Sequence, residues 1–257
     1  MKKYTQRTRF GDVVVEFMPP AGPPRRRRRL AHGRERVVIL CPGVPAAPPR
    51  AALVEFFSKK GFWCFAMRYR GTWESGGTFL KYSPERDVRM VMDGLSRGFA
   101  DAFTGKRYRI RAPEVYLFGT SFGGPAVILS SRDPRVRKVV AVSPVVDWKA
   151  RSSESVVQMK DLAKRAFGDA FRFSGKDWMR LVSGKFYNPA AALARVDGKK
   201  ILIIHAKDDR VAPFAPAKKF AAASGATLLT LRRGGHLSSS AITKPALFKK
   251  IRGFLAT

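Results

Sequence analysis

The sequence predicts an α/β fold, a mostly parallel, doubly wound sheet of about eight strands with a small helical cap. Three observations lead there. From Arg36 onward, short apolar runs alternate with amphipathic stretches of helical length, the pattern of strands joined by crossover helices. At 257 residues the chain is long enough for one sizeable core, and α/β domains of this length are usually single. The connection from Val145 to Lys199 exceeds a plain crossover, so it carries structure of its own. We therefore expect one domain over residues 1–257, with 146–198 as a cap insertion over the carboxyl edge of the sheet, the alternative being extra helices packed at its side.

Residues 4–10 and 12–18 read as two strands around Gly11-Asp12, an amino-terminal hairpin. Pro19-Pro20-Ala21-Gly22-Pro23-Pro24 then breaks regular structure, and five arginines follow at 25–29. Such a run can bind phosphate, but between prolines and a glycine it reads first as a solvated loop. Strand 37–40 comes next, then helix 50–60 with Leu53, Phe56 and Phe57 on one face, and strand 62–69. Helix 84–98 opens with Ser83 as N-cap and Pro84 at the first helical position. Strand 115–118, helix 125–130 and strand 136–142 follow. Within the long connection, Val156, Met159, Ala163 and Phe167 mark an amphipathic helix, followed by Phe171, Phe173, Trp178, Phe186 and Tyr187. Strand 201–205, helix 213–223, strand 227–231 and helix 244–255 complete the series. There is no internal repeat.

Fifty basic residues against nineteen acidic ones give a net charge of +31, of which residues 1–36 carry only eight. The basicity belongs to the whole surface and favours contact with nucleic acid or another anionic surface, screened by salt. A general compositional bias toward Arg and Lys would look the same. Apolar residues at 45% and aromatics at 11% exclude a disordered chain. No apolar run approaches 18 residues, and the basic amino terminus has no apolar segment behind it. Neither a membrane span nor a secretory signal is expected, and the location expected is cytoplasmic. Cys41 and Cys64 each sit in an apolar strand run, the setting of reduced, buried thiols.

The stretch richest in chemistry is Gly119-Thr120-Ser121-Phe122-Gly123, which fits G-x-S-x-G between an apolar strand and the opening of a helix. In that context the two glycines make room for a tight turn, and the serine is held strained with its hydroxyl exposed. Without the flanking strand and helix the motif would be an ordinary turn. Acyl transfer by a serine also needs a histidine to take its proton and a carboxylate to orient that histidine. Of three histidines, His32 lies in the basic loop-like segment and His205 ends a strand, where a structural role is expected. His236 follows Arg232-Arg233-Gly234-Gly235 just after the last strand, in a loop able to bring an imidazole over the sheet. The carboxylate candidates are Asp208 and Asp209, just past a strand's carboxyl end, where crevice residues of open α/β sheets collect. The order serine, aspartate, histidine is the one G-x-S-x-G hydrolases use. For the oxyanion the expected donors are the backbone N–H of Phe122, directly after the serine, and that of Val44 in Leu40-Cys41-Pro42-Gly43-Val44.

These points, together with Tyr69-Arg70-Gly71-Thr72-Trp73-Glu74-Ser75-Gly76-Gly77 and Gly235-His236, resemble the α/β-hydrolase superfamily over residues 36–255. The glycine-rich loop after the fourth strand is similar to that of serine esterases and prolyl-oligopeptidase-type peptidases. In their pattern the acid is the last Asp before x-V-x-P, which favours Asp209 over Asp208. Pro42 departs from the His that many members carry before the glycine. The resemblance implies the α/β-hydrolase fold and a catalytic set of Ser121, Asp209 and His236.

The expected function is that of a serine hydrolase cleaving carboxylic esters, or short peptides or thioesters, through an acyl-enzyme on Ser121. A small-molecule ester or peptide is the expected partner, and no metal or organic cofactor is implied. The competing reading is a non-catalytic protein of the same fold that binds nucleic acid or another anionic surface through its charge.

Overall fold

The strands alternate their side chains between two apolar layers, and the consecutive apolar residues of each run follow from that. In the computed structural model, which describes residues 4–22, 34–48 and 50–257, Val37, Ile39 and Cys41 enter one core layer. Val38 and Leu40 of the same strand enter the other. The same division separates Val115 and Leu117 from Tyr116 and Phe118. A strand buried on both faces has no polar side to show. The arginines at 25–29 and His32 lie outside the described residues.

In chain order the strands are β1 (Gln6–Phe10), β2 (Val13–Met18), β3 (Glu35–Cys41), β4 (Trp63–Met67), β5 (Phe99–Ala100), β6 (Arg107–Tyr108), β7 (Pro113–Thr120), β8 (Val136–Val142), β9 (Ile201–Ala206) and β10 (Thr227–Leu231). Eight of them form one sheet in the order β1-β2-β4-β3-β7-β8-β9-β10, and β5 pairs with β6 apart from it. Within the eight-stranded sheet β1 and β2 run antiparallel, as does β2 against β4, and the remaining pairs are parallel; β5 and β6 are antiparallel to one another. The α/β-hydrolase fold expected from the sequence is thus the fold observed, strand count included. The small β5–β6 hairpin has no counterpart in the sequence reading, because two-residue strands carry no detectable periodicity.

Helices α1 (Ala51–Lys59) and α7 (Pro245–Ala256) cover one face, burying Leu53, Val54, Phe57, Leu247 and Ile251. Helices α2 (Glu85–Arg97), α3 (Gly123–Leu129) and α6 (Phe214–Ser224) cover the other. One local expectation is corrected at α2. Ser83 makes no side-chain cap; its hydroxyl donates instead to the Glu85 carboxylate, and Pro84 is the N-cap. The Arg86 N–H, three residues on, is taken at 3.0 Å by the Ser83 backbone carbonyl and not by its hydroxyl. Cys41 and Cys64 are both buried and unpaired.

Two features of the order place the site. From β3 the chain steps to β4 on one side, and later enters β7 on β3's other side. That reversal opens a crevice at the carboxyl ends of β3 and β7, the place where open α/β sheets bind ligands. Residues 146–198 carry α4 (Ser153–Phe167), α5 (Gly175–Met179) and several short 3₁₀ turns. The Val156, Met159, Ala163 and Phe167 face of α4 packs on the core as its spacing predicts. The Trp178 indole N–H donates to the Val156 carbonyl at 3.1 Å. Phe171 bridges Thr72, and the Trp73 N–H donates to the Ala170 carbonyl, lacing this segment to the loop after β4. Among the described residues no helix is long and apolar enough to cross a membrane.

Candidate active site

Ser121 sits at the carboxyl end of β7, with a backbone φ of 52°. A β-carbon on Gly119 would lie 2.3 Å from the Gly123 carbonyl oxygen, and one on Gly123 would lie 2.2 Å from that of Cys41. Neither approach is possible with any other residue, so strand β7, helix α3 and the β3 loop close on one another only through these glycines. The Ser121 N–H donates to the Val142 carbonyl at 2.9 Å, and the Gly124 N–H donates back to the Ser121 carbonyl at 3.0 Å. A left-handed serine of this kind stores strain that the surrounding structure must hold.

The loop after β3 runs beside this turn, its Gly43 close against the Ser121 Cβ. The Tyr69 hydroxyl donates to the Pro42 carbonyl at 3.0 Å and fixes the loop from below. Tyr69 begins the glycine-rich loop singled out in the sequence, and the rest of that loop is tied down as well. The Val14 N–H donates to the Ser75 hydroxyl, which donates to the Arg68 carbonyl, and Arg70 pairs with buried Asp87. Val44 and Phe122, the expected oxyanion donors, line the same cavity as Ser121. Among the described residues neither N–H donates to a protein acceptor.

Asp209 follows β9, and its carboxylate is fully buried. Its Oδ1 accepts the N–H groups of Val211 and Ala212, both at 2.9 Å. Its Oδ2 lies 2.9 Å from His236 Nδ1 and 3.3 Å from His205 Nε2. Burial raises such a carboxyl, yet the neighbouring His205 imidazole and the hydrogen bonds from His236 and the Ala212 N–H outweigh it and hold Asp209 well below the usual carboxylate range. The geometry thus joins His236 to Asp209, not to Asp208. Asp208 points to the exposed side, where it accepts the N–H groups of Gly235 at 2.9 Å and Gly234 at 3.3 Å. These bonds lower its own ionisation and pin the loop that carries His236.

The structure therefore gathers Ser121, His236, Val44 and Phe122 around one cavity of about 430 Å³, with Asp209 behind the imidazole. That volume suits a small-molecule ligand. Among the described residues no hydrogen bond joins Ser121 to His236. A catalytic bond of this kind often tightens only when substrate arrives. His205 is wholly buried and donates through Nε2 to the Ala212 carbonyl at 2.7 Å, bracing the Asp209 turn from within.

Tyr187, counted in the sequence only as an aromatic of the long connection, reaches the elbow. Its hydroxyl donates to the Phe122 carbonyl at 2.6 Å and accepts the Ala126 N–H at 3.0 Å. Burial pushes its ionisation well up, which keeps it a neutral donor. The Trp148 indole N–H holds the Tyr187 carbonyl at 2.8 Å. Arg50 and Arg151 also line the cavity. No local sequence signal marks any of these roles, because each depends on a partner brought in by the fold.

Solved structures share this architecture. An esterase from Pyrococcus furiosus is 16% identical, with 98% of this chain and 90% of that one covered and a TM-score of 0.66. A butyrate-bound esterase from Thermogutta terrifontis is 14% identical, with 98% and 93% covered and a TM-score of 0.61. A putative dipeptidyl aminopeptidase IV from Bacteroides ovatus is 18% identical over 98% of this chain but 36% of its own, with a TM-score of 0.65. At these identities the likeness is one of fold. No curated protein matches the chain by sequence. The sequence does match the prolyl oligopeptidase family over residues 50–257, a span that includes Ser121, Asp209 and His236. The chain belongs to the prolyl oligopeptidase family, serine hydrolases built on the α/β-hydrolase fold.

Proposed function

We propose that the protein cleaves carboxylic esters through an acyl-enzyme on Ser121, with short peptides and thioesters open to the same chemistry. The observation that carries this reading is the buried Asp209–His236 pair, set at the same cavity as a serine on a strained strand-to-helix turn. With Nδ1–H held by the Asp209 carboxylate, the imidazole is in the tautomer whose Nε2 is free to accept a proton.

Ser121 Oγ attacks the carbonyl carbon while His236 Nε2 takes its proton. The oxygen that gains charge is met by the N–H groups of Phe122 and Val44, each able to contribute several kcal/mol at such a position (about 3–4). The imidazolium then protonates the departing alkoxide, and water activated by the same histidine releases the acid. Residues 146–198 act as a cap, giving Arg151, Ser155, Met159 and Leu162 to one wall of the cavity. The apolar walls suit an acyl or leaving group with a hydrocarbon body, and the esterases of similar length support an ester over a long peptide.

The test is hydrolysis of p-nitrophenyl acetate and butyrate, alongside labelling by a fluorophosphonate probe. Wild type is expected to turn over and label, and Ser121→Ala to do neither. Identical behaviour of the two proteins in both assays refutes the reading.

A further inference from the structure

The charge in the cavity is one-sided. Arg50 and Arg151 line it together with Ser121 and His236, and among the described residues no carboxylate does. Asp209 lies behind the imidazole with its oxygens already accepting the N–H groups of Val211, Ala212 and His236. The Arg50 guanidinium makes no hydrogen bond or ion pair among the described residues. The nearby Glu16 carboxylate is engaged by Arg68 and by the Arg50 backbone N–H. Arg151 donates to the Val211 carbonyl at 2.6 Å and to the Ser155 hydroxyl at 2.8 Å, both neutral acceptors. Its Nε is buried without a partner. Burial pushes both guanidinium groups down from their ordinary value, with only partial compensation from Glu16 and Asp209.

Two partly buried arginines without a contacting protein counter-ion are an unfavourable arrangement on their own. It becomes favourable when an anion enters, and a carboxylate matches the planar fork of an arginine with two parallel hydrogen bonds. We propose that the natural substrates are esters or short peptides bearing a carboxylate, recognised by Arg50 with Arg151 contributing from the cap. This rests on the hydrolase reading above. It assigns Arg50 as a specificity residue, while Arg151 combines that task with bracing the loop at Val211.

The experiment compares kcat/KM for charged and neutral esters on each side of the scissile bond. On the acyl side, mono-4-nitrophenyl adipate is set against methyl 4-nitrophenyl adipate. On the leaving-group side, 4-hexanoyloxybenzoate is set against its methyl ester. Intrinsic reactivity cancels when the charged-to-neutral ratio of each pair is compared between variant and wild type. Arg50→Met is expected to lower that ratio about 10- to 100-fold in one arm, the range of a lost charge-assisted hydrogen bond, and Arg50→Lys to restore part of it. The affected arm shows which side carries the carboxylate. Arg151→Met is expected to lower the same ratio, and the Arg50 pair stands alone should that variant not fold.

Lys249→Met removes one charge from the exposed side of α7 and is expected to leave both ratios as they are. An equal fall in Lys249→Met and Arg50→Met, abolished by salt, assigns the effect to the +31 field and overturns the proposal. Unchanged ratios in Arg50→Met overturn it too, while turnover of the neutral esters leaves the hydrolase reading standing. Absence of turnover on all four esters overturns both.

Discussion

Replacing Asp209 with Asn keeps the shape of the side chain and removes its charge, so it isolates what the carboxylate does. Three N–H groups donate to it, Val211 and Ala212 on Oδ1 and His236 on Oδ2, while His205 Nε2 lies 3.3 Å from Oδ2 and donates to the Ala212 carbonyl. An amide satisfies the first two with its oxygen and turns its NH₂ toward the two imidazoles. His236 then accepts at Nδ1 and carries its proton on Nε2, the wrong tautomer for taking one from Ser121. The same substitution in serine hydrolases with this arrangement costs about 10⁴-fold in kcat, and a loss of that order is expected here in p-nitrophenyl butyrate hydrolysis. His205 must also turn away or leave the Ala212 carbonyl without its donor. Losing a buried charge-assisted bond costs about 1.5–3 kcal/mol, which lowers the melting temperature by roughly 3–12 °C for a chain of this size. The sign of the pH dependence is fixed by the same geometry. Because the folded state holds Asp209 below its unfolded ionisation, its stabilisation is complete above the unfolded value of about 3.9. It is lost as the pH falls through the folded value. The stability gap between wild type and Asp209→Asn, read by chemical denaturation, is therefore expected to close as the pH falls from about 4 into stronger acid. Activity within tenfold of wild type, or a gap that widens below about pH 4, refutes the reasoning.

Substitutions at two further positions probe the supports of the site. Tyr187→Phe leaves the Phe122 carbonyl and the Ala126 N–H buried without their partner, at a cost of about 1–3 kcal/mol for an unsatisfied buried group. A thermal melt by circular dichroism should show the loss together with reduced kcat, and an unchanged melt and rate would remove Tyr187 from the elbow's support. Asp208→Ala frees the Gly234 and Gly235 N–H groups to water. Its melting temperature should barely move, while kcat falls about tenfold as His236 loses its fixed approach, a 1 Å misplacement costing up to about 10². Asp208→Asn, which keeps an acceptor oxygen, should recover most of that rate. A rate unaffected by Asp208→Ala would show that the loop is held by other contacts, such as the Leu237 N–H on the Ser143 hydroxyl.

Much of this architecture was legible in the chain because it rests on short-range rules. The alternation of apolar runs and amphipathic helices fixed the fold class, since strands buried on both faces and helices buried on one leave different periods in the sequence. The Gly119–Gly123 spacing marked the turn, since only glycine survives a contact of 2.2–2.3 Å with a backbone oxygen. The choice between Asp208 and Asp209 was not local. Adjacent residues in a turn point to opposite sides, and the sequence alone left both open until a family pattern was brought to bear. The fold decided it by register, with β10 beside β9, so that the loops after the two strands meet and Asp208 takes the glycines while Asp209 takes the imidazole. Tyr187 is 65 residues from the carbonyl it holds, and nothing in its neighbourhood announces that bond. The two arginines likewise read as part of a uniformly basic surface. By itself the sequence determined the strands, the turn and the candidates at their ends. Which side chains face one another was decided only by the tertiary structure, because those contacts depend on strand order and on how the long connection folds back over the crevice.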